Sequence, residues 1–232
     1  MICAIHQPNI YPWLGYFDKA NKADVFVFLN QVDYEKSGHS MQSICNRVGI
    51  LKNGKKGYMH IPVERKHGAQ KIDTVIIKKT VDWQNNILQN ISIAYKNAPF
   101  CDYVIDMVKT HFLYEGDFLS EFNISVIRDV ATRLGINTPF IRQDELQTTK
   151  HSNELLAEIC CKVGCNQYLY GGGAAGYQDD NVFKKNGIEP VAQDFHFPYY
   201  EQKNDVFVPG LSIVDTLMWI GIEETKQLLE KH

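Results

Sequence analysis

The sequence predicts an α/β fold: a mostly parallel sheet with flanking helices and a helical insertion. Three observations carry this. A short apolar run, Met1 to Ile5, stops at His6-Gln7-Pro8-Asn9, and a helical spacing of Trp13, Tyr16, Phe17 and Ala20 leads to a second run, Asp24 to Leu29. That is a strand, a crossover helix and a strand, whose return is almost always right-handed. From Asp82 to Leu134 the periodicity is purely helical, and after Pro139 short apolar runs and helices alternate again. The expected architecture is therefore Rossmann-like, one domain over residues 1–232 with a helical subdomain at about 82–135.

In the first stretch, Pro8 and Pro12 forbid either a continuing strand or an early helix. Pro12 suits a first helical turn, where its missing N–H costs nothing. Residues 31–56 are polar, without regular apolar spacing, and predict a long loop over the sheet edge. Asn53-Gly54 is a turn signal, Gly57 to Val63 predicts a strand interrupted near its end by Pro62, and Ile72 to Ile77 is a β-branched run expected to form another. Trp83, Ile87, Leu88, Ile91 and Tyr95 share one helical face up to Ala98-Pro99. Tyr103, Val104, Met107, Val108 and Phe112 share the next, and Leu119, Phe122, Val126, Ile127, Val130 and Leu134 a third, with Gly135 placed as a C-cap. Pro139 to Ile141 predicts a short strand, Ser152 caps a helix over 153–162, and Gln167 to Tyr170 is a strand ending in a glycine-rich turn. A helix around 180–186 follows, then an ordered aromatic loop from Asp194 to Tyr200. Ser212 begins or caps a last helix that contains Asp215 and stops at Gly221.

Composition frames the function. The 232 residues are 44% hydrophobic and 22% charged, enough for one sizeable core without covalent staples. Twenty-four Lys and Arg against 27 Asp and Glu leave a net charge of -3, which gives no global attraction for DNA or an anionic membrane. No run approaches the length of a membrane span, and no basic region precedes a long apolar segment, so a cytoplasmic location is expected. The six cysteines lack paired CxxC spacing. Cys160, Cys161 and Cys165 read as packing and not as a metal site, because adjacent helical side chains point apart.

The parallel arrangement would put His6, Gln7 and Asn9 at the carboxyl edge of the sheet, where open α/β sheets bind ligands. Gly171-Gly172-Gly173 would stand at the end of another strand, able to let a ligand approach the backbone and to present N–H groups to an anion. It is not a Walker loop, since no Gly-Lys-Ser or Gly-Lys-Thr follows.

Several blocks resemble the WbqC-like family, found in bacterial gene clusters for surface polysaccharides. They are His6-Gln7-Pro8-Asn9, Pro12-Trp13-x-Gly15-Tyr16-Phe17-x-Lys19 and Ala23-Asp24-Val25-Phe26-Val27. Later in the chain come Asn46-Arg47, Trp83, Tyr95 with Ala98-Pro99-Phe100, Tyr168-Leu169-x-Gly171 with Tyr177, Pro198-Tyr199, and Leu211-Ser212-Ile213-x-Asp215. The resemblance implies a cytoplasmic bacterial transferase or ligase of lipopolysaccharide and O-antigen biosynthesis, which places glycine on an amino sugar. The histidine loop also resembles the HIGH-type nucleotidylyltransferases, pantothenate synthetase among them, although His6-x-x-Asn9 stands where HxGH is expected. That likeness implies ATP with Mg as a substrate and no tightly bound cofactor. In this scheme His6, Gln7 and Asn9 stabilise phosphate charge, Lys19 and Arg47 clamp a phosphate or carboxylate, and Asp215 or Asp33 takes a proton from the incoming amine. Tyr11, Trp13, Tyr177, Tyr199 and Ser212 would line the substrate, a nucleotide-linked sugar and an amino-acid or acyl donor. Two other classes stay open: a non-catalytic protein binding a nucleotide sugar or a partner, and an acyltransferase using a thioester or aminoacyl-tRNA donor.

Overall fold

A computed structural model of the chain describes residues 1–35, 43–64, 66–172 and 178–230. Its centre is strand β1 (Ile2–His6), whose three middle residues are buried. Helix α1 (Leu14–Asn21) follows and returns the chain to β2 (Val25–Phe28), parallel to β1 and buried throughout. Both strands are covered on both faces, which explains why they read as unbroken apolar runs and not as alternating ones. Ala4, Phe26 and Phe28 pack into one core cluster, while Cys3, Ile5, Val25 and Val27 pack into another on the opposite face.

Three more strands complete the sheet: β6 (Phe140–Arg142), β7 (Gln167–Tyr170) and β8 (Glu189–Ala192). Their order is β6-β2-β1-β7-β8, and every pairing is parallel. In chain order this is third, second, first, fourth, fifth, the doubly wound arrangement of a Rossmann-like fold. The winding reverses between β1 and β7. Helices α5 (Ser152–Lys162) and α6 (Asp180–Lys185) cover one face. The other carries α1, the inserted helices α2 (Trp83–Ala94), α3 (Cys101–His111) and α4 (Leu119–Arg133), and α7 (Ile213–Glu230).

The structure departs from the sequence expectation in four places. Residues 43–52, expected within a loop, form β3 (Ser43–Ile44) and β4 (Arg47–Lys52), which join β5 (Lys55–His60) in a small antiparallel sheet separate from the main one. Val48 to Leu51 are all buried, but Gly49 interrupts the apolar run and Arg47 and Lys52 bound it, so it is too short to announce a strand; Asn53 and Gly54, at φ 51 and 70, make its hairpin turn. Ile72 to Ile77 is not a regular strand. Residues Ile72–Thr74 form a 3₁₀ turn, and Ile76 and Ile77 make only isolated bridges, to Phe118 and Val63. Strand β8 was not expected, because Pro190 argues against a strand; it is tolerated here at the sheet edge. Finally, α7 does not stop at Gly221 but breaks there, at φ 71 and ψ -175, and resumes.

Candidate functional site

Parallel pairing places all five strand ends along one edge. The β1–β7 register runs from Ile2 opposite Gln167 to Ala4 opposite Leu169, and from there the two chains lead off in the same direction, towards His6 and Gly171. These are the two strands between which the winding reverses, and the helices that follow them, α1 and α6, lie on opposite faces of the sheet, the position at which open α/β sheets bind ligands. The chain beyond β8 closes one side. Gln193 N donates to Tyr170 O at 2.7 Å, and its Nε2 reaches Gly15 O and the buried Asp18 Oδ2, both at 2.7 Å.

The loop after β1 is clamped from several elements. Asn123 on α4 donates from Nδ2 to Pro8 O at 2.8 Å and to Cys45 O at 2.7 Å, fixing the loop to the β3–β4 turn. Tyr16 OH donates to Gln7 O at 3.1 Å, and the Cys45 thiol lies 3.8 Å from Gln7 Oε1. Burial pushes that thiol up to about 12, so it stays protonated. Tyr11 is fully buried at φ 35, a left-handed conformation uncommon for a bulky residue. It is held by Ser212 Oγ on its carbonyl at 2.8 Å and by His111 Nδ1 on its hydroxyl at 2.9 Å; His111 Nε2 meets Asp129 at 2.9 Å, and Arg133 also bonds Asp129.

His6 remains half-buried, with Trp13 and Tyr16 edge-on at 5.6 and 4.8 Å. Its Nδ1 lies 3.1 Å from Gln7 O. A carbonyl only accepts, so this contact assigns the proton to Nδ1 and leaves the lone pair on Nε2. Burial, and then the charge of Lys19, depress the imidazole pKa to about 3. Lys19 itself is buried beneath the strand end, donating from Nζ to Ile5 O at 2.9 Å, and burial lowers its ammonium to about 8.

A model of the WbqC-like protein family matches residues 7–227. The chain belongs to that family. An uncharacterized protein, Rv1507c of Mycobacterium tuberculosis (strain ATCC 25618 / H37Rv), is 28% identical over 223 residues, covering 95% of this chain and 94% of the relative. No solved structure matches.

In this WbqC-like chain, His6, Gln7 and Trp13 stand together at the end of β1 with Lys19 buried beneath Ile5, Asn9 and Tyr11 are buried in the loop that follows, and Gly171 and the exposed Gly172 follow the neighbouring strand β7. Gly173 and Tyr177 fall outside the described residues. Arg47 opens β4, two residues from Cys45, with its guanidinium 4.8 Å from the Tyr58 ring centre. Ser212 caps α7, accepting from Val214 N at 3.1 Å as well as holding Tyr11. The remaining three lie apart. Asp33 is exposed and paired with Lys71 at 2.9 Å, and Tyr199 is exposed against Phe207. Asp215 is fully buried: Oδ1 accepts from Tyr95 OH at 2.8 Å, and Oδ2 from Tyr200 OH at 2.6 Å and Gln202 Nε2 at 2.9 Å. With both oxygens engaged inside the core, that carboxylate has no open approach for an incoming amine.

Sequence reasoning missed Asn123, Gln193 and the His111–Asp129 pair. Asn123 had a signal: it falls on the apolar face of its helix, between Phe122 and Val126, where an amide needs partners. Gln193 had none, since the strand it follows was not foreseen. Among the described residues no group of three or more His, Cys, Asp or Glu is arranged to hold a metal ion, and no helix is long and apolar enough to cross a membrane.

Proposed function

We propose that this WbqC-like protein forms an amide, with glycine as the acyl donor, on a nucleotide-linked amino sugar of surface polysaccharide, through an acyl adenylate made at the crevice between β1 and β7. The observation that carries the proposal is the parallel β1–β7 pairing at the switch point, beyond which the chains lead to His6 and to Gly171. In the first step the glycine carboxylate oxygen attacks the α-phosphorus of ATP, supplied with Mg, and pyrophosphate leaves. In the second, the sugar amine attacks the acyl carbon, AMP leaves with the bonding electron pair, and the amine loses a proton. A free carboxylate is a poor electrophile, so the activation step is what makes the second one feasible.

The ionisation states support a division of labour. Neutral His6 offers the Nε2 lone pair while the crevice holds no anion. A phosphate arriving beside it supplies the counter-charge that favours the imidazolium, so His6 takes up a proton as the nucleotide binds. Lys19 and the N-terminus of α1 add positive potential from beneath. The amine's proton passes to solvent, since Nε2 is already protonated, Asp215 is enclosed and Asp33 is paired at the surface.

The test combines purified protein with ATP, glycine and a UDP-linked amino sugar. The expectation is pyrophosphate release that requires glycine, amide formation that also requires the sugar, and loss of both in His6→Ala at unchanged circular dichroism. One observation favours a second reading, a non-catalytic nucleotide-sugar binder: Asn9, standing where a second histidine is expected, is 3% exposed. Binding of the nucleotide sugar without turnover of ATP would select that reading and overturn the first.

A further inference from the structure

A groove of about 280 Å³ opens between β5 and α2, outside the group of residues assembled around His6. Tyr58 and His60 form one wall, Asn86 and Asn90 the other, and Met59 and Ile87 contribute an apolar floor. The walls differ in charge. From Ser43 to Val63 the chain carries Arg47, Lys52, Lys55 and Lys56 and no carboxylate, whereas α2 has no ionisable residue at all. Three of those cations touch groove residues: Lys52 Nζ is 3.3 Å from Asn90 Oδ1, and the Arg47 guanidinium and Lys56 ammonium lie 4.8 and 5.6 Å from the Tyr58 ring centre. The carboxylates flanking the walls in sequence are Glu64, beyond Pro62, and Asp82, which caps α2 by accepting from Asn85 N and Nδ2.

Cations that touch the lining from outside, an apolar floor and a facing side-chain amide together match a ligand with a phosphate at one end and a hydroxyl-bearing ring at the other. We propose that this groove is a second ligand site, which seats a phosphorylated sugar. Lys52, Lys56 and Arg47 meet the phosphate, Asn86 meets hydroxyls, Asn90 holds Lys52 in place, and Met59 and Ile87 face the less polar side of the ring. The site does not depend on the chemistry proposed at His6. The same hairpin nevertheless joins the two, because Cys45, two residues before Arg47, touches Gln7.

The experiment titrates the full chain with UDP-N-acetylglucosamine, N-acetylglucosamine 1-phosphate and inorganic phosphate, following heat and the imidazole resonances of His60 and His6. Both phosphorylated sugars are expected to shift His60, and Lys56→Glu and Asn86→Asp, exposed positions whose folding is checked by thermal melting, each to weaken the sugar phosphate about tenfold. His6→Ala is expected to keep the His60 shift, so a failed crevice mechanism leaves this site standing. The proposal is overturned if millimolar sugar phosphate leaves His60 unmoved, if both groove variants bind as tightly as the parent, or if inorganic phosphate binds as well as the sugar phosphate.

Discussion

Replacing Asp215 separates a structural carboxylate from a catalytic one, because the two roles predict opposite patterns. In the folded chain the carboxylate accepts hydrogen bonds from Tyr95 OH, Tyr200 OH and Gln202 Nε2 at 2.6 to 2.9 Å and is 0% exposed. Tyr95 OH also accepts from Leu51 N, so the network ties α7 to β4, to the end of α2 and to the segment around Tyr200. Asp215→Ala strands three buried donors at about 1–3 kcal/mol each, less whatever entering water and the relief of burying a charge return, for a net loss of about 3–5 kcal/mol. At about 2–4 °C per kcal/mol for a chain of this size, the melting temperature should fall by about 6–20 °C. Asp215→Asn keeps the volume. Its oxygen can serve Tyr200 and Gln202 while its amide nitrogen faces Tyr95, so one donor is lost and the cost drops to about 1–2 kcal/mol. Thermal melts and urea titrations of both variants measure this, alongside pyrophosphate release. A melting temperature for Asp215→Ala within about 2 °C of the parent, with turnover abolished in both variants, would refute the structural assignment and restore Asp215 as a base.

Three other expectations follow from the same geometry. His6 has a folded pKa of about 3 against about 6.5 unfolded, so folding favours its neutral form; its contribution is fully present above pH 6.5 and is lost as pH falls towards 3. Allowing for partial exposure, the stability gap between the parent and His6→Gln should shift by about 1–2 kcal/mol between pH 7.5 and 4.5, against the parent at the acid end, by urea titration at each pH. Asn123→Ala removes both bonds to the β1 loop and the β3–β4 turn, at about 2–3 kcal/mol, and hydrogen exchange should show the loop at residues 7–11 opening more often; unchanged protection there would contradict its role as a clamp. Gly221→Ala forces a Cβ within 2.8 Å of the Phe100 ring at a backbone conformation that glycine alone adopts readily, so a loss of about 1–3 kcal/mol is expected in thermal melts.

What could be seen in the sequence was whatever burial writes locally. Strands β1 and β2 are covered on both faces and so appear as continuous apolar runs, while the three inserted helices each bury one stripe and so keep a helical rhythm. Strand β4 escaped because its apolar run is interrupted by Gly49 and bounded by Arg47 and Lys52 within a polar stretch, and β8 because it contains Pro190. The loop at His6 announced itself through two prolines and an interrupted strand. Its supports did not: Asn123, Gln193 and Cys45 come from distant points of the chain, and only the fold brings them to it. Asp215 and Ser212 stand three residues apart on α7, yet one is enclosed by tyrosines and the other holds the carbonyl of Tyr11. Spacing along a helix cannot separate those fates when the deciding partners lie on other elements.

The placement of Lys19 gives the crevice its electrostatic character. A lysine at the rim would draw anions but would also be screened by salt and cost side-chain entropy to order. Here the ammonium is 4% exposed and fixed on Ile5 O, one residue before His6, so it acts on the ring through little solvent. Burial and the Lys19 charge both oppose the imidazolium. The crevice therefore has positive potential without a cation in it, and only an incoming anion can make His6 a second one. Nucleotide binding should then be accompanied by proton uptake at pH 6, measured as a dependence of the calorimetric heat on the buffer's ionisation enthalpy. In Lys19→Met the opposing charge is gone, but burial, the larger cause, still keeps the free ring neutral at pH 6, so the complex holds the proton more readily and the uptake should be at least that of the parent. Proton uptake in Lys19→Met clearly below that of the parent would remove Lys19 from this account.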